Sequence, residues 1–389
     1  YDVIVVGAGN GGLTAAAALA QRDKKVLLLE KHNVPGGSAT SFIRGRFEFE
    51  VALHQLSGMG THSRPGPLRQ ALGKLGVLEK LEFVEEDTLY RTVVPGQFDI
   101  ELKADRQKIT DELILKFPKE SEAIKRYMEM VWTFCSEYVS IYMLKAENPT
   151  ADRFPTYFKY ALKTTEEVMD EYLMDPFLKL TLASFWGYSG LPPSRWPFSE
   201  SAIMFWVYTE FKPFHLKGGS QALSNAILDS FTEFGGETRF NCGVNEILVS
   251  SGKVTGVVTE QGDEISADLV ISNVGTMKTY IDLIDEQHVP EPVYRQLRQS
   301  TIGCSGFTVY MGLNCEPEEL GITASTSFIS TNNDMDSQYA GYSSLKRPEY
   351  VCFSCYDVAD PEFSPKGASQ IMLINLNYMN HWLSIPPHQ

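Results

Sequence analysis

Apolar positions along the chain change their spacing several times, and each change marks an element. DVIVV near the amino terminus is a continuous apolar run rich in β-branched residues, the pattern of a strand buried on both faces. GAGNGG interrupts it, and LTAAAALAQR then reads as a helix of small residues. KKVLLLE is a second continuous run, ending at Glu30. Strand, glycine turn, helix and strand thus follow one another within about thirty residues, the span of a βαβ unit. In RGRFEFEV the spacing changes to alternation. Phe47 and Phe49 are expected to face inward and Glu48 and Glu50 outward, as on a half-buried strand.

Further on, LRQALGKLGVL predicts a short helix with a glycine stop. EFVEEDTLYRTVVPGQFDIEL predicts strands around a turn at Pro95-Gly96. A polar helix follows, then an apolar one in which Tyr127, Met130, Val131, Phe134, Tyr138 and Ile141 recur at three- and four-residue steps. The stretch from Phe154 to Phe211 is crowded with Phe, Tyr, Trp and Met. A helical core explains each of these residues singly. Their clustering also suits a site for a long apolar ligand, because such side chains supply large and adaptable contact area. Gly218-Gly219 open a helix carrying Leu223, Ile227 and Phe231 on one face, and Gly235-Gly236 close it. NEILVS, KVTGVVTE, EISA and DLVISN read as strands, with SSG as a turn. CSGFTVYMGLN, VCFSCYDV and SQIMLINLNY predict an antiparallel sheet flooring the ligand site. The whole is an α/β pattern.

Composition narrows this picture. The length of 389 residues allows two or three ordinary domains, or one large domain with an insertion. A net charge of −15 argues against a nucleic-acid partner. Six cysteines form no dense framework, so a reducing, cytoplasmic compartment is expected. Cys352 and Cys355 form a CxxC pair, but no second pair completes a zinc site, and the flanks alternate like a strand. Apolar runs stay well short of a membrane span, and no leader is visible. The opening strand starts at once with a residue other than Met, so a few residues are expected ahead of it.

The glycine turn carries the clearest chemistry. Gly7, Gly9 and Gly12 stand in GxGxxG register between the first strand and its helix. Gly7 permits the tight turn, Gly9 lets a pyrophosphate approach the backbone, and Gly12 lets the helix lie close to the sheet. The free N–H groups and positive end of the helix favour phosphate. Glu30, eighteen residues after Gly12, is placed to accept hydrogen bonds from a ribose hydroxyl. A carboxylate there repels a 2′-phosphate, which disfavours an NADP-type ligand.

After Glu30 comes KHNVPGGSATSF, with a second glycine pair at Gly36 and Gly37. This segment, RGRFEFEVALHQLSG, GLPPSR and HLKGGSQALSNAILDSFTEFGG resemble the flavoprotein family that includes phytoene desaturases, carotenoid isomerases and retinol saturases. The resemblance implies a Rossmann-like FAD-binding domain, discontinuous over residues 1–90 and 215–276. It implies an α+β substrate domain over 91–214 and 277–389, with the aromatic helical insertion. FAD is the implied cofactor. Gly36, Gly37 and Ser38 would pass near its ribityl and phosphate groups, with Asn10 and Lys31 beside the same ligand. The Val244 backbone would meet the adenine, and Asn273 ends the strand that leads out of the domain. Members often carry Arg shortly before the doublet, and KHNVP departs from that. His54 lies at the end of the segment that in the family runs under the flavin. A histidine titrates near neutrality, so His54 is the candidate catalytic residue. The family's last segment, a strand, turn and helix over the ribityl chain, has no counterpart here. The C-terminal part of the FAD domain is therefore expected to be absent from this chain, leaving an open edge on the parallel sheet.

The function implied is that of an FAD-dependent oxidoreductase or isomerase acting on a long unsaturated apolar lipid, such as a carotenoid or retinoid, by hydride exchange with flavin N5. Two alternatives stay open. One is a flavin amine oxidase or FAD-dependent hydratase of the same architecture. The other is a non-enzymatic escort protein that binds a prenyl lipid, which the intact glycine motif opposes. In some members the helical insertion forms a membrane-dipping surface, so peripheral membrane contact is also expected. Oligomeric state stays open.

Overall fold

The computed structural model describes residues 1–51, 55–383 and 385. The chain divides into two compact units. One comprises Tyr1–Leu53, Pro67–Phe83 and Leu216–Ile302, the other His54–Gly66, Val84–His215 and Gly303–Gln389.

The first unit is built on a parallel sheet. Its strands run in the order Leu269–Ser272, Val3–Val6, Val26–Leu29 and Glu237–Arg239. Every residue of the two central strands is buried, which is why their apolar runs show no alternation. Helix Asn10–Ala20 follows the first strand, and its Ala16, Ala17 and Ala20 are buried. Small side chains there let helix Gly219–Glu233 pack closely against it. An antiparallel sheet of Val244–Ser250, Lys253–Thr259 and Glu264–Ser266 completes the unit. Residues after 276, which the sequence suggests for a second domain, fold with this unit as far as Ile302. Leu283 is the reason: it joins the core formed by Ile4, Leu27, Ile247 and Val257.

The second unit holds a six-stranded sheet. Its order is Ser305–Leu313, Ser369–Asn377, Tyr350–Ser354, Thr326–Ser330, Thr88–Val94 and Phe98–Lys103. The three strands expected to pair antiparallel do so, Ser305–Leu313 and Tyr350–Ser354 each running against Ser369–Asn377, while Thr326–Ser330 pairs with Thr88–Val94 in parallel. Apolar alternation shows which face is buried but says nothing of strand direction. Helices between Arg106 and Glu210, among them Ser121–Tyr142 and Phe198–Glu210, share one core with this sheet. The aromatic stretch largely packs on itself and on the strands. Phe185 lies 4.8 Å from Tyr90, edge to face, and 4.9 Å from Tyr208, stacked. Phe134 meets Phe198 at 5.0 Å. In helix Ser121–Tyr142 the apolar stripe is buried at Tyr127, Met130, Val131 and Phe134 and opens toward solvent beyond them.

Candidate functional site

The first strand ends in a turn shaped by its glycines. Gly7 has φ +95° and donates its N–H to the Leu29 carbonyl at 2.8 Å. Gly9 then caps a helix whose first turn has no side-chain cap and no acidic residue. Its leading N–H groups face outward with the positive end of the helix dipole, ready for an anion. A side chain at Gly12 would place its Cβ 2.1 Å from the Gly7 carbonyl oxygen, so only glycine fits. The same loop carries Asn273 as a cover: its amide atoms lie 2.9 Å and 2.7 Å from where Cβ atoms of Gly9 and Gly11 would stand. Asn273 is fixed there by its own N–H, which donates to the Val6 carbonyl at 2.8 Å.

The second glycine pair crosses the first turn directly. The Gly36 N–H donates to the Ala8 carbonyl at 2.7 Å. Gly36 has φ +120° and Gly37 φ +62°, conformations that side chains disfavour. A Cβ on Gly37 would sit 3.2 Å from the Gly9 Cα. Ser224 locks the crossing from the helix Gly219–Glu233. Its Oγ lies 2.8 Å from the Ala39 carbonyl oxygen and 2.9 Å from the Asn10 side-chain amide.

Glu30 closes the other end. It is buried, and its carboxylate accepts the Ala8 N–H at 2.7 Å on Oε2 and the His32 N–H at 2.8 Å on Oε1. Each oxygen keeps further acceptor capacity. Glu30 therefore ties the glycine turn to the end of the second strand while lining the cleft above it.

That cleft has a volume of about 840 Å³, within the range of small-molecule sites. Gly7, Gly9, Asn10, Glu30, Lys31, Gly36, Gly37, Ser38, Val244 and Asn273 all line it. Gly12 stands behind Gly7 rather than on the wall. Sequence reasoning missed Gly243, Lys278 and Ser224. Gly243 is legible only in the fold, since a Cβ there would meet the Glu260 carboxylate at 2.4 Å. Lys278 follows a strand end that the sequence does show, and it adds a second cation to the cleft beside Lys31. Ser224 lies on a helix face that reads as ordinary polar surface. His54 falls outside the described residues.

Bare helix N–H groups, a side-chain-free floor and a carboxylate acceptor fit a diphosphate joined to a ribose, as in FAD. The comparison with known proteins agrees. The profile of flavin containing amine oxidoreductases matches residues 11–387. The chain belongs to that family. Its cofactor is FAD. An all-trans-retinol 13,14-reductase of Danio rerio is 29% identical over 370 residues, covering 90% of this chain and 60% of that relative. A chloroplastic prolycopene isomerase of Arabidopsis thaliana is 23% identical over 403 residues, covering 100% of this chain and 65% of the relative. A crystal structure of an oxidoreductase from Methanosarcina mazei superposes with a TM-score of 0.68 at 18% identity, covering 99% of this chain and 79% of that one. The chain thus spans about three fifths of the length of the Danio rerio relative. These findings bear out the expected flavoprotein resemblance and the Rossmann-like α/β fold.

None of the six cysteines lines this cleft. Cys352 and Cys355 are both free and buried. Burial pushes each thiol up to about 12, so neither forms a thiolate near neutrality.

Proposed function

We propose that this chain forms the flavin-binding and substrate-holding parts of an FAD-dependent oxidoreductase or isomerase that acts on a polyene. The observation that carries the flavin half is the crossing of the two glycine turns, where the Gly36 N–H meets the Ala8 carbonyl at 2.7 Å beside an uncapped helix start. The substrate half is supported by relatives named for retinol and prolycopene. In this reading the helix N-terminus at Gly9 and Asn10, with Gly37, binds the diphosphate. Lys31 and Lys278 balance its charge, and Glu30 accepts a ribose hydroxyl. The Val244 backbone borders the adenine, and Asn273 keeps the turn in shape. Bound FAD supplies hydride exchange at N5. The chain's part is to hold and orient the reactants and exclude water. His54 is proposed, on sequence alone, as the polar group beside the flavin.

Peripheral membrane contact belongs to the same proposal. Among the described residues no helix is long and apolar enough to cross a membrane. Tyr142, Met143, Leu144 and Leu162 are exposed, with Lys145 and Lys159 among the residues around them. The Tyr142 and Tyr157 hydroxyls, 2.6 Å apart, join the two helical segments concerned. Exposed apolar and aromatic tips beside lysines suit the boundary between lipid headgroups and acyl chains.

The test is purified full-length protein under anaerobic conditions with polyenes of several chain lengths. Isomer composition and flavin redox state are followed together. A change in either supports the reading. Flavin that is reduced by simple amines while every polyene stays unchanged would favour amine oxidation instead.

A further inference from the structure

The second unit holds two buried polar side chains that share one hydrogen bond and each leave one oxygen unused. Gln55 and Glu86 are 5% and 6% exposed. Gln55 Nε2 donates to Glu86 Oε2 at 3.1 Å. Gln55 Oε1 and Glu86 Oε1 are sealed from solvent and have no hydrogen-bond partner among the described residues. Both side chains are mounted on fixed backbone. The Tyr208 hydroxyl donates to the Gln55 carbonyl at 3.1 Å, and the Glu86 N–H donates to the Pro213 carbonyl at 2.9 Å.

The protonation of the pair defines what it can bind. Burial pushes the Glu86 carboxyl up to about 7, opposed only in part by the Ser325 hydroxyl and the Gln55 amide beside it. A carboxyl that keeps its proton offers a donor, while the Gln55 amide oxygen is an acceptor only. Buried polar atoms without partners are strongly disfavoured. One hydroxyl group donates and accepts at once, which is the combination these two groups call for.

We propose that Gln55 Oε1 and Glu86 Oε1 together receive one hydroxyl group, that of a polyene alcohol substrate, with a water molecule in its place when substrate is absent. The assignment rests on the polyene reading above. It makes this pair the feature that distinguishes an unsaturated alcohol from the corresponding hydrocarbon.

The experiment uses full-length, flavin-loaded protein and two probes of one carbon skeleton. These are all-trans-retinol and the hydrocarbon with a methyl group in place of its hydroxymethyl group. Binding is read from quenching of tryptophan fluorescence. We expect the wild type to prefer the alcohol by at least about 10-fold, since a site built around a hydroxyl rejects the analogue that lacks it. Glu86→Gln should keep most of that preference, because its carboxamide still donates. Glu86→Leu and Gln55→Met should each abolish it while changing hydrocarbon affinity by less than about 2-fold. Equal affinity of the wild type for both probes overturns the proposal, and an ordered water seen at the pair would then be its sole occupant. A preference that survives both Glu86→Leu and Gln55→Met overturns it too. Should those variants fail to fold, the wild-type comparison and Glu86→Gln decide alone. If neither probe binds while flavin does, the polyene reading itself has failed.

Discussion

Glu30 and Glu86 are both buried carboxyl groups with different hydrogen-bond partners. Glu30 receives two backbone N–H groups, whereas at Glu86 the Ser325 hydroxyl and the Gln55 amide offset only part of the burial. Glu86 holds its proton up to about 7 in the folded chain, against 4.5 for the free side chain. Between those values the folded state binds more protons than the unfolded one. The stability this contributes is whole below 4.5 and is lost as pH rises through about 7. Relative to Glu86→Gln, which cannot ionise, the wild type should lose on the order of 3 kcal/mol across that window. Urea unfolding of both proteins below, within and above the window measures it, and a pH-independent gap would contradict the expectation. Gly12 makes a second prediction. An alanine there forces a Cβ to 2.1 Å from the Gly7 oxygen, so the turn must open. Gly12→Ala should weaken FAD affinity by at least about 10-fold, the equivalent of roughly 1.4 kcal/mol, as read by titrating full-length apoprotein with FAD.

The strand Phe47–Glu50 and the helix Gly219–Glu233 show how one element departs from its pattern to serve another. Alternation in FEFE places Glu50 outward, yet it is 4% exposed. Its carboxylate accepts the Ser220 N–H at 2.5 Å and the Ser220 hydroxyl, so it caps the start of the helix that carries Ser224. A carboxylate at a helix N-terminus is favoured by the dipole. Glu50→Ala should cost about 1–3 kcal/mol in urea unfolding, because it strips a partner from buried donors. Glu50→Gln should recover part of that. The strand Tyr350–Ser354 behaves as its alternation suggests and buries Cys352. Neither Cys352 nor Cys355 should be alkylated by iodoacetamide until the chain unfolds, and mass spectrometry of labelled native protein checks this.

For the protein as an entirety, the family and the flavin come from features that local sequence carries, whereas the proposed substrate and membrane contacts call on surfaces assembled from distant segments. Replacing Leu144 and Leu162 with Glu should weaken binding to anionic phospholipid vesicles by about 10-fold or more if the exposed helical tips enter lipid. Sedimentation with vesicles reads the result, and unchanged binding would remove that surface from consideration.

Strands buried on both faces, a glycine turn and an acidic strand end all occur within short windows, and backbone conformation alone makes those residue types necessary. The parallel sheet, the glycine cradle and the cofactor class were therefore legible before any coordinates. The parallel pairing of Thr326–Ser330 with Thr88–Val94 was not, because apolar alternation is the same for parallel and antiparallel neighbours. Nor was the burial of Glu50, the shielding of the glycine turn by Asn273, or the pairing of Gln55 with Glu86. Each of these joins residues far apart along the chain, and such a partner leaves no periodic trace. Folding brought Glu30 and Glu86 into unlike surroundings, and those surroundings set what each carboxyl can do.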